Sequence, residues 1–406
     1  MHFRRNGFTM VELLVVIAII AVLAVVVTLT LNPAQLFAQA RDAQRVSNLA
    51  VMNAALNLYE SDQGTAVGYS IGATSTTYVS ISSASSTCGD LGLPSSPYAY
   101  ACSGSLTYKG VSGTGWIPVD FKNIRAGSPI DSLSADPTNQ TSSNLYYTYT
   151  TNGSLFALTA FLESTKYASS VQANGGIDPA LYEVGTGVSS LPETGRGLVG
   201  YWPLNEGSGG SALDWSGYAS TGTWGGTPAG TSGYYSAGHP WQWAGAFNGT
   251  TTNDYANAGN KAALGVTNSF TMAAWIYISS SQTYTGIMGD GNWDSSGVTF
   301  GFLNGYLHVE MSRAGAASML SANATLPLNQ WVYAAFVFGN GVGTFYMNGV
   351  PAGSGSAVAP VAGTSNFYIG TTAQGGWNPM VGLLDDVRVY DRALSASEIA
   401  QLYAME

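Results

Sequence analysis

The apolar positions fall into three periodicities along the chain, and each predicts a different kind of element. From Phe8 to Leu31 almost every side chain is apolar, and Glu12 is the only ionisable one. Such a run is long enough for a helix to cross a hydrocarbon core, which needs about 20 residues. Arg4 and Arg5 precede it and belong on the cytoplasmic side. An ionised carboxylate inside that run costs on the order of 2 kcal/mol or more unless it is paired, and the run carries no basic side chain. At Asn32-Pro33 the helix is interrupted, because proline lacks a backbone donor and restricts the residue before it. The pattern then resumes to about Tyr59 with helical period. Val46, Leu49, Met52, Leu56 and Tyr59 form one apolar stripe, while Arg41, Asp42 and Arg45 lie off it. An amphipathic helix of this kind predicts docking on a sheet.

After residue 60 the period changes to two. In residues 61–184, the segments 77–81, 145–150 and 155–162 are rich in Tyr, Thr and aliphatic side chains, and Asn152-Gly153 separates the last two as a turn. A small antiparallel sheet is expected there. Residues 185–197 read as a linker. In 198–406, short apolar runs recur with turns between them, at 270–278, 298–303, 306–311, 331–338, 343–347, 367–369 and 382–390. Many short strands at such spacing predict a β-sandwich. A closing helix is expected over 395–402, with Ser395 as N-cap and Glu398 completing a capping box. The fold class is therefore an α+β N-terminal region, a long helix with a small sheet, followed by an all-β sandwich.

Composition narrows the functions. Only 9% of the residues are charged, whereas 24 Tyr and 10 Trp are present, a β-rich profile suited to an exported protein. The formal charge of −10 argues against a nucleic-acid partner, whose phosphates demand a basic surface. Cys88 and Cys102 lie in a Ser/Gly/Pro-rich stretch with no His or third Cys nearby, so a disulfide closing a surface loop is the expectation over a metal pair. Such a loop closure is worth roughly 3 kcal/mol in the chain-entropy picture. Catalysis is not expected. Glycoside hydrolysis needs two carboxylates flanking a bond, and the strand 307–311 offers Glu310 beside His308 with no second carboxylate in reach by sequence. The only other His beyond the basic N-terminal segment is His239, and no Ser/His/Asp order suggests itself.

The N-terminal run Met-His-Phe-Arg-Arg-Asn-Gly7 followed by Phe8-Thr-Met-Val-Glu12-Leu-Leu resembles the leader of type IV pilins and type II secretion pseudopilins. That resemblance implies a leader at 1–7, cut after Gly7 by a prepilin peptidase that then methylates the Phe8 amine. It makes 8–60 the membrane and polymerisation helix, in which Glu12 meets the Phe8 amine of a neighbouring copy, and it makes 61–184 a pilin globular domain. It also implies an inner-membrane precursor, later an extracellular filament, whose partners are further copies of itself and the pilus assembly machinery. A Sec signal would have a shorter apolar region ending in a small-x-small cleavage site, without Glu at its head. A plain signal anchor gives Glu12 no role. In the secretion pseudopilins a calcium can sit late in the globular domain, where Asp131 and Asp136 stand here, with solvated loop carboxylates as the alternative.

The C-terminal region resembles the laminin-G-like, concanavalin A-like jelly-roll family. The carrying segments are Tyr201-Trp-Pro-Leu-Asn-Glu206-Gly-Ser-Gly, Asp214-Trp-Ser-Gly217, Ala246-Phe-Asn-Gly249, Gln330-Trp331, Tyr346-Met-Asn348-Gly349, and Gly382-Leu-Leu-Asp385-Asp386-Val-Arg388, in the family's order. Members serve as lectins, adhesins, spacers and hydrolases, so the fold leaves function open. The resemblance implies calcium at Asp214 and Asp385, with loop carbonyls adding hard oxygen ligands. The loop after Asp214 reads Ser216-Gly217-Tyr218-Ala219 where relatives tend to carry Ser-Gly-Asn-Gly, which removes one polar position. The alternative is that Asp385 and Asp386 cap strands and pair with Arg388. Trp293 and Trp377, in Gly-rich loops, with Tyr234 and Tyr235, are candidate glycan-stacking aromatics, or else they fold back on the sandwich. Leu191-Pro-Glu-Thr-Gly195 spells a sortase motif, but a whole domain follows it, so the match lacks its context. The expectation for the whole chain is a pilin subunit displaying a lectin-like module for adhesion or surface decoration to glycans or cell surfaces. A minor tip adhesin and a type II secretion pseudopilin are the alternatives.

Overall fold

The computed structural model describes residues 10–31, 33–64, 66–94, 96–167, 181–188, 191, 196–238, 243–249, 254–280, 283–292, 295–372 and 378–404. Helix α1 spans Met10–Leu31 and α2 spans Pro33–Gln63. Proline occupies the first position of α2, where its missing N–H costs no intrahelical bond. The predicted stripe is the buried face: Leu49, Met52, Leu56 and Tyr59 pack on Trp116, Tyr147, Tyr149, Phe156 and Leu158 to form the N-terminal core.

That core rests on a five-stranded sheet in the order β2 (Ala99–Ala101), β1 (Thr76–Val79), β3 (Thr148–Thr151), β4 (Phe156–Phe161), β5 (Leu181–Gly185). Its pairs are antiparallel except β1 with β2, which run parallel. Cys88 and Cys102 form a disulfide in the connection between those two strands and beyond, with Cα atoms 5.4 Å apart.

Arg41, Asp42 and Arg45 lie off that stripe, yet Asp42 and Arg45 are fully buried. Arg45 donates from Nε to Asp136 Oδ2 at 2.7 Å, from Nη2 to Asp136 Oδ1 at 3.0 Å and from Nη1 to Asp42 Oδ1 at 2.8 Å, and also reaches Glu163. Arg41 donates to the same Glu163 at 2.7 and 2.8 Å, and Asp42 accepts the backbone N–H groups of Glu163 and Ser164. Burial works against the charge of Arg45, but the bonds to Asp136 and Glu163 outweigh it and hold its pKa above the ordinary arginine value. The knot therefore ties α2 to the strand ends by charge where the apolar stripe stops.

The sandwich has two eight-stranded sheets. One runs β19 (Val350–Ser356), β18 (Val342–Met347), β17 (Trp331–Gly339), β12 (Phe270–Ile278), β21 (Val381–Tyr390), β10 (Ala244–Asn248), β9 (Tyr235–Ser236), with β6 (Leu198–Trp202) also paired to β21. The other runs β16 (Ala316–Thr325), β15 (Tyr306–Arg313), β14 (Val298–Leu303), β13 (Tyr284–Gly289), β20 (Phe367–Ile369), β11 (Tyr255–Gly259), β8 (Gly222–Gly225), β7 (Ser211–Ala212). Side chains of both inner faces, among them Trp202, Phe270, Met272, Ile276, Phe300, Phe336 and Leu384, make the main core.

The first sheet is covered on its outer face as well. There Tyr201, Trp275, Tyr333 and Tyr390 pack under helix α3 (Ala396–Ala404) through Leu394, Ile399 and Leu402, and against Leu162, Val46 and Tyr182 of the N-terminal unit. Helix α3 starts as predicted: Ser395 Oγ accepts from the Glu398 N–H at 3.3 Å, and the Ser395 N–H donates to Glu398 Oε2 at 2.8 Å. Polar bonds pin the same junction. Gln401 donates to the Leu162 carbonyl at 2.6 Å, Arg196 donates to the carbonyls of Asn144 and Tyr146, and Arg392 donates to the Arg196 carbonyl at 2.6 Å. The segment read as a linker thus joins two units that share a packed boundary.

Candidate functional site

Glu12 lies in the first turn of α1, as the sequence places it, whereas Gly7 and Phe8 lie outside the described residues. The apolar side chains around Glu12 have little cover: Met10 is 91% exposed, Leu13 61% and Ile20 58%. A helix apolar on all sides calls for lipid or another helix around it. Counting only the described side chains, which end at Ala21 in this helix, no helix is long and apolar enough to cross a membrane; the sequence continues the apolar run to Leu31.

In the sandwich the two calcium candidates are placed differently. Asp214 Oδ1 accepts the N–H groups of Tyr201 at 3.1 Å and Ser216 at 2.9 Å, and Oδ2 accepts that of Ser220 at 2.8 Å. Its carboxylate therefore shapes its own loop and ties it to β6. Asp385 is fully buried on β21 opposite Trp275 of β12. Asp386 clamps Arg388, with Nη1–Oδ2 at 2.7 Å and Nη2–Oδ1 at 3.0 Å, so the pairing held open as the alternative is the one formed for that residue. Among the described residues, no group of three or more His, Cys, Asp or Glu is placed to hold a metal ion. Asp136, the pseudopilin-type candidate, is taken by Arg45, while Asp131 is exposed.

The aromatic candidates divide. Trp293 and Trp377 lie outside the described residues. Tyr235 is fully buried; its hydroxyl donates to the Ser211 carbonyl at 2.6 Å and accepts from Trp224 Nε1 at 2.9 Å, so it has no face to offer a sugar. Tyr234 is half-buried and stacks one face on Trp224, with centroids 5.1 Å apart. The exposed loop aromatic that the sequence reading passed over is Trp215, 40% exposed and set edge-on to Tyr201. Its position beside Asp214, in the Asp214-Trp-Ser-Gly217 string, was the available signal.

His308 stands between two polar partners on the sheet. Its Nδ1 is 2.7 Å from Ser321 Oγ on β16, and its Nε2 is 3.7 Å from Glu310 Oε1, beyond hydrogen-bond reach. The strand pairing that brings Ser321 to His308 crosses β15 to β16, a contact the sequence does not reveal. Just past the end of β13, burial pushes the Asp290 carboxyl up to about 6, partly offset by the Val298 N–H that donates to it at 3.0 Å.

No curated protein matches the chain. Among solved structures, domain 4 of the extracellular arabinanase AbnA from Geobacillus stearothermophilus is 19% identical, with 51% of this chain and 98% of that one covered and a TM-score of 0.40. The binding domain of Paraclostridial Mosquitocidal Protein 1 is 17% identical over 51% of this chain and 52% of its own, with a TM-score of 0.41. A heptameric SAP-like pentraxin from Limulus polyphemus is 22% identical over 34% and 70%, with a TM-score of 0.28. The chain spans about half the length of several such neighbours, including the binding domain of botulinum neurotoxin type G at 50%. Residues 2–28 match the prokaryotic N-terminal methylation motif and residues 248–400 match the concanavalin A-like lectin/glucanases superfamily, so the chain joins a prepilin-type N-terminal segment to a laminin-G-like sandwich.

Proposed function

We propose that this chain is a pilin-type filament subunit that carries its sandwich to the cell exterior as a non-enzymatic adhesive or decorative module. A prepilin peptidase releases residues 1–7. Helix α1 holds the precursor in the inner membrane, and the Phe8 amine then pairs with Glu12 of the next copy as α1 passes into the filament core. The observation that carries this reading is a single carboxylate, Glu12, inside the matched methylation motif and in the first turn of a helix whose described apolar side chains stand exposed. Pairing removes the cost of the charge only when a second copy is present, which couples leaving the lipid to assembly. On the sandwich, Trp215 and Tyr234 are described loop aromatics that leave ring surface for sugar stacking.

A second reading, a minor subunit at the filament tip, is favoured by one observation. Sandwich residues 339–340 and 391–398 face the first turns of α2 at Ala34, Gln35, Ala38 and Arg41 across a cleft, so the sandwich takes up space beside the helix segment that continues α1. Composition of sheared filaments tests the two. A filament made mainly of this chain supports the major-subunit reading, about one copy per filament supports the tip reading, and a deletion that stops secretion while sparing surface filaments would replace both with the pseudopilin.

A further inference from the structure

We propose that the Cys88–Cys102 disulfide is a redox latch for the junction: oxidised, it backs the contacts that hold Arg196 and the start of the sandwich against the N-terminal unit, and reduced, it lets that side of the junction open. The inference stands apart from the filament reading, because it concerns how the two units are held together. The disulfide lies in a small apolar cluster of its own, in which Cys88, Val79 and Tyr146 are buried and Leu91, Leu93, Tyr100 and Cys102 pack around them. The core under α2 is a separate cluster, and β2, which leads into Cys102, is a three-residue strand at the edge of its sheet. The disulfide cluster can therefore loosen while the main core stays folded.

This cluster reaches the sandwich at two points. Tyr146 offers its ring to Arg196, whose guanidinium carbon lies 4.3 Å from the ring centroid, and its carbonyl accepts from Arg196 Nη2 at 2.5 Å. Arg196 Nη1 donates to the Asn144 carbonyl at 2.6 Å, and the residue is only 2% exposed. Pro94, whose carbonyl accepts from the Tyr100 hydroxyl at 2.8 Å, comes close to Gly197. There φ is +79°, and a Cβ would stand 3.1 Å from Pro94 Cβ and 2.6 Å from Asp391 Oδ1, so glycine permits the approach. Arg196 and Gly197 lead into β6 and are tied to the segment after β21. Arg392 Nε donates to the Arg196 carbonyl at 2.6 Å, the Asp391 N–H donates to that of Gly197 at 2.9 Å, and Arg392 pairs with Glu398 of α3 at 2.7 Å. Without the covalent bond, the stretch that carries Pro94 regains conformational freedom and Tyr146 loses its backing.

A small thiol has a way in, because half-buried Cys102 lines an open pocket of about 370 Å³ with Ser83, Asp90 and Ser105. A dithiol reductant attacks Cys102 there; its sulfur bonds to Cys102, and the Cys88 thiolate leaves and takes a proton. The second thiol of the reductant resolves the mixed disulfide, so two electrons and two protons pass to the cysteines and the reductant leaves as a cyclic disulfide. Closure runs the exchange backwards, with a protein or small-molecule disulfide as oxidant.

Trypsin reads the latch, since it cuts Arg196-Gly197 when Arg196 leaves its buried position. Full-length protein in detergent micelles is digested briefly with and without dithiothreitol, and the fragments are identified by mass spectrometry. Cutting after Arg196 is expected to rise about ten-fold or more on reduction, while cutting after exposed Arg125 stays within about two-fold and fully buried Arg45 stays uncut. The double variant Cys88→Val, Cys102→Ala keeps apolar filling without the bond, and it is expected to match the reduced protein and to ignore the reductant. Equal protection of Arg196 in the oxidised, reduced and double-variant proteins overturns the latch. Opening in the double variant but not with the reductant overturns the redox response. Cutting after Arg45 alongside Arg196 in the double variant overturns the latch as well, because the bond would then hold the whole N-terminal unit.

Discussion

Helix α1 and strand β12 are both nearly continuous apolar sequence, yet they end in opposite surroundings. Phe270–Ile278 of β12 is buried along its length except at Tyr277, because its own chain supplies a core on one face and α3 with the N-terminal unit on the other. The described side chains of α1 stay exposed. An apolar run states that cover is required; it does not state who provides it. For β12 the cover is intramolecular, and for α1 it has to come from lipid or from another copy.

The strongest way to break that contrast is at Glu12. Glu12→Ala leaves the apolar run intact, so membrane insertion is expected to be normal while filament yield falls by an order of magnitude or more, measured as sheared surface filament against membrane-held precursor. Normal yield would make α1 an ordinary anchor. Next comes the charged knot, which fixes α2 and so the base from which α1 projects. Arg45→Met strands Asp42 and Asp136 in the interior, and a loss of about 3–5 kcal/mol in denaturant unfolding is expected. On the β12 side, Leu402→Ala opens the cover that α3 gives the sheet and should cost about 2–4 kcal/mol. A loss confined to a few tenths would mean the boundary is not packed in solution.

The smallest effect tests a buried charge of the sandwich. Burial raises the folded pKa of Asp290 to about 6, above the usual carboxylate range near 4, so the folded state binds the extra proton between those values and stability falls as pH rises through that window. Asp290→Asn keeps an acceptor for the Val298 N–H and should stabilise by about 1 kcal/mol at pH 8, with the advantage gone by pH 4; thermal melts at both pH values check it. Glu163 and Glu398 have the opposite sign. Burial favours their neutral forms, but their arginine partners hold both below the ordinary glutamate value, so their contribution is present at neutral pH and is lost as pH drops below about 4.

Local signals were legible in the sequence and long-range ones were not. The strands at 270–278, 298–303 and 367–369 sit where alternation and turns put them, and the Ser395–Glu398 box starts α3, since these depend on neighbours a few residues away. Strands β16 and β19 escaped because their Ala-, Ser- and Gly-rich sequences lie partly exposed and carry little apolar contrast. The partners of Arg45 were not legible, because Asp136 lies 91 residues away and Glu163 lies 118. Tyr234 and Tyr235 are adjacent and chemically identical, and only the packing of Trp224 and Ser211 sends one into the core. The cleft, too, needs two units that the sequence joins only by a connecting segment.

All of this turns on whether α1 is a polymerisation helix, and the mature N-terminus answers that most directly. Mass spectrometry of this chain recovered from sheared surface material is expected to show N-methyl-phenylalanine at Phe8 as its first residue, with residues 1–7 absent. A surface chain that still begins at Met1, or one cut elsewhere in the apolar run, would contradict it.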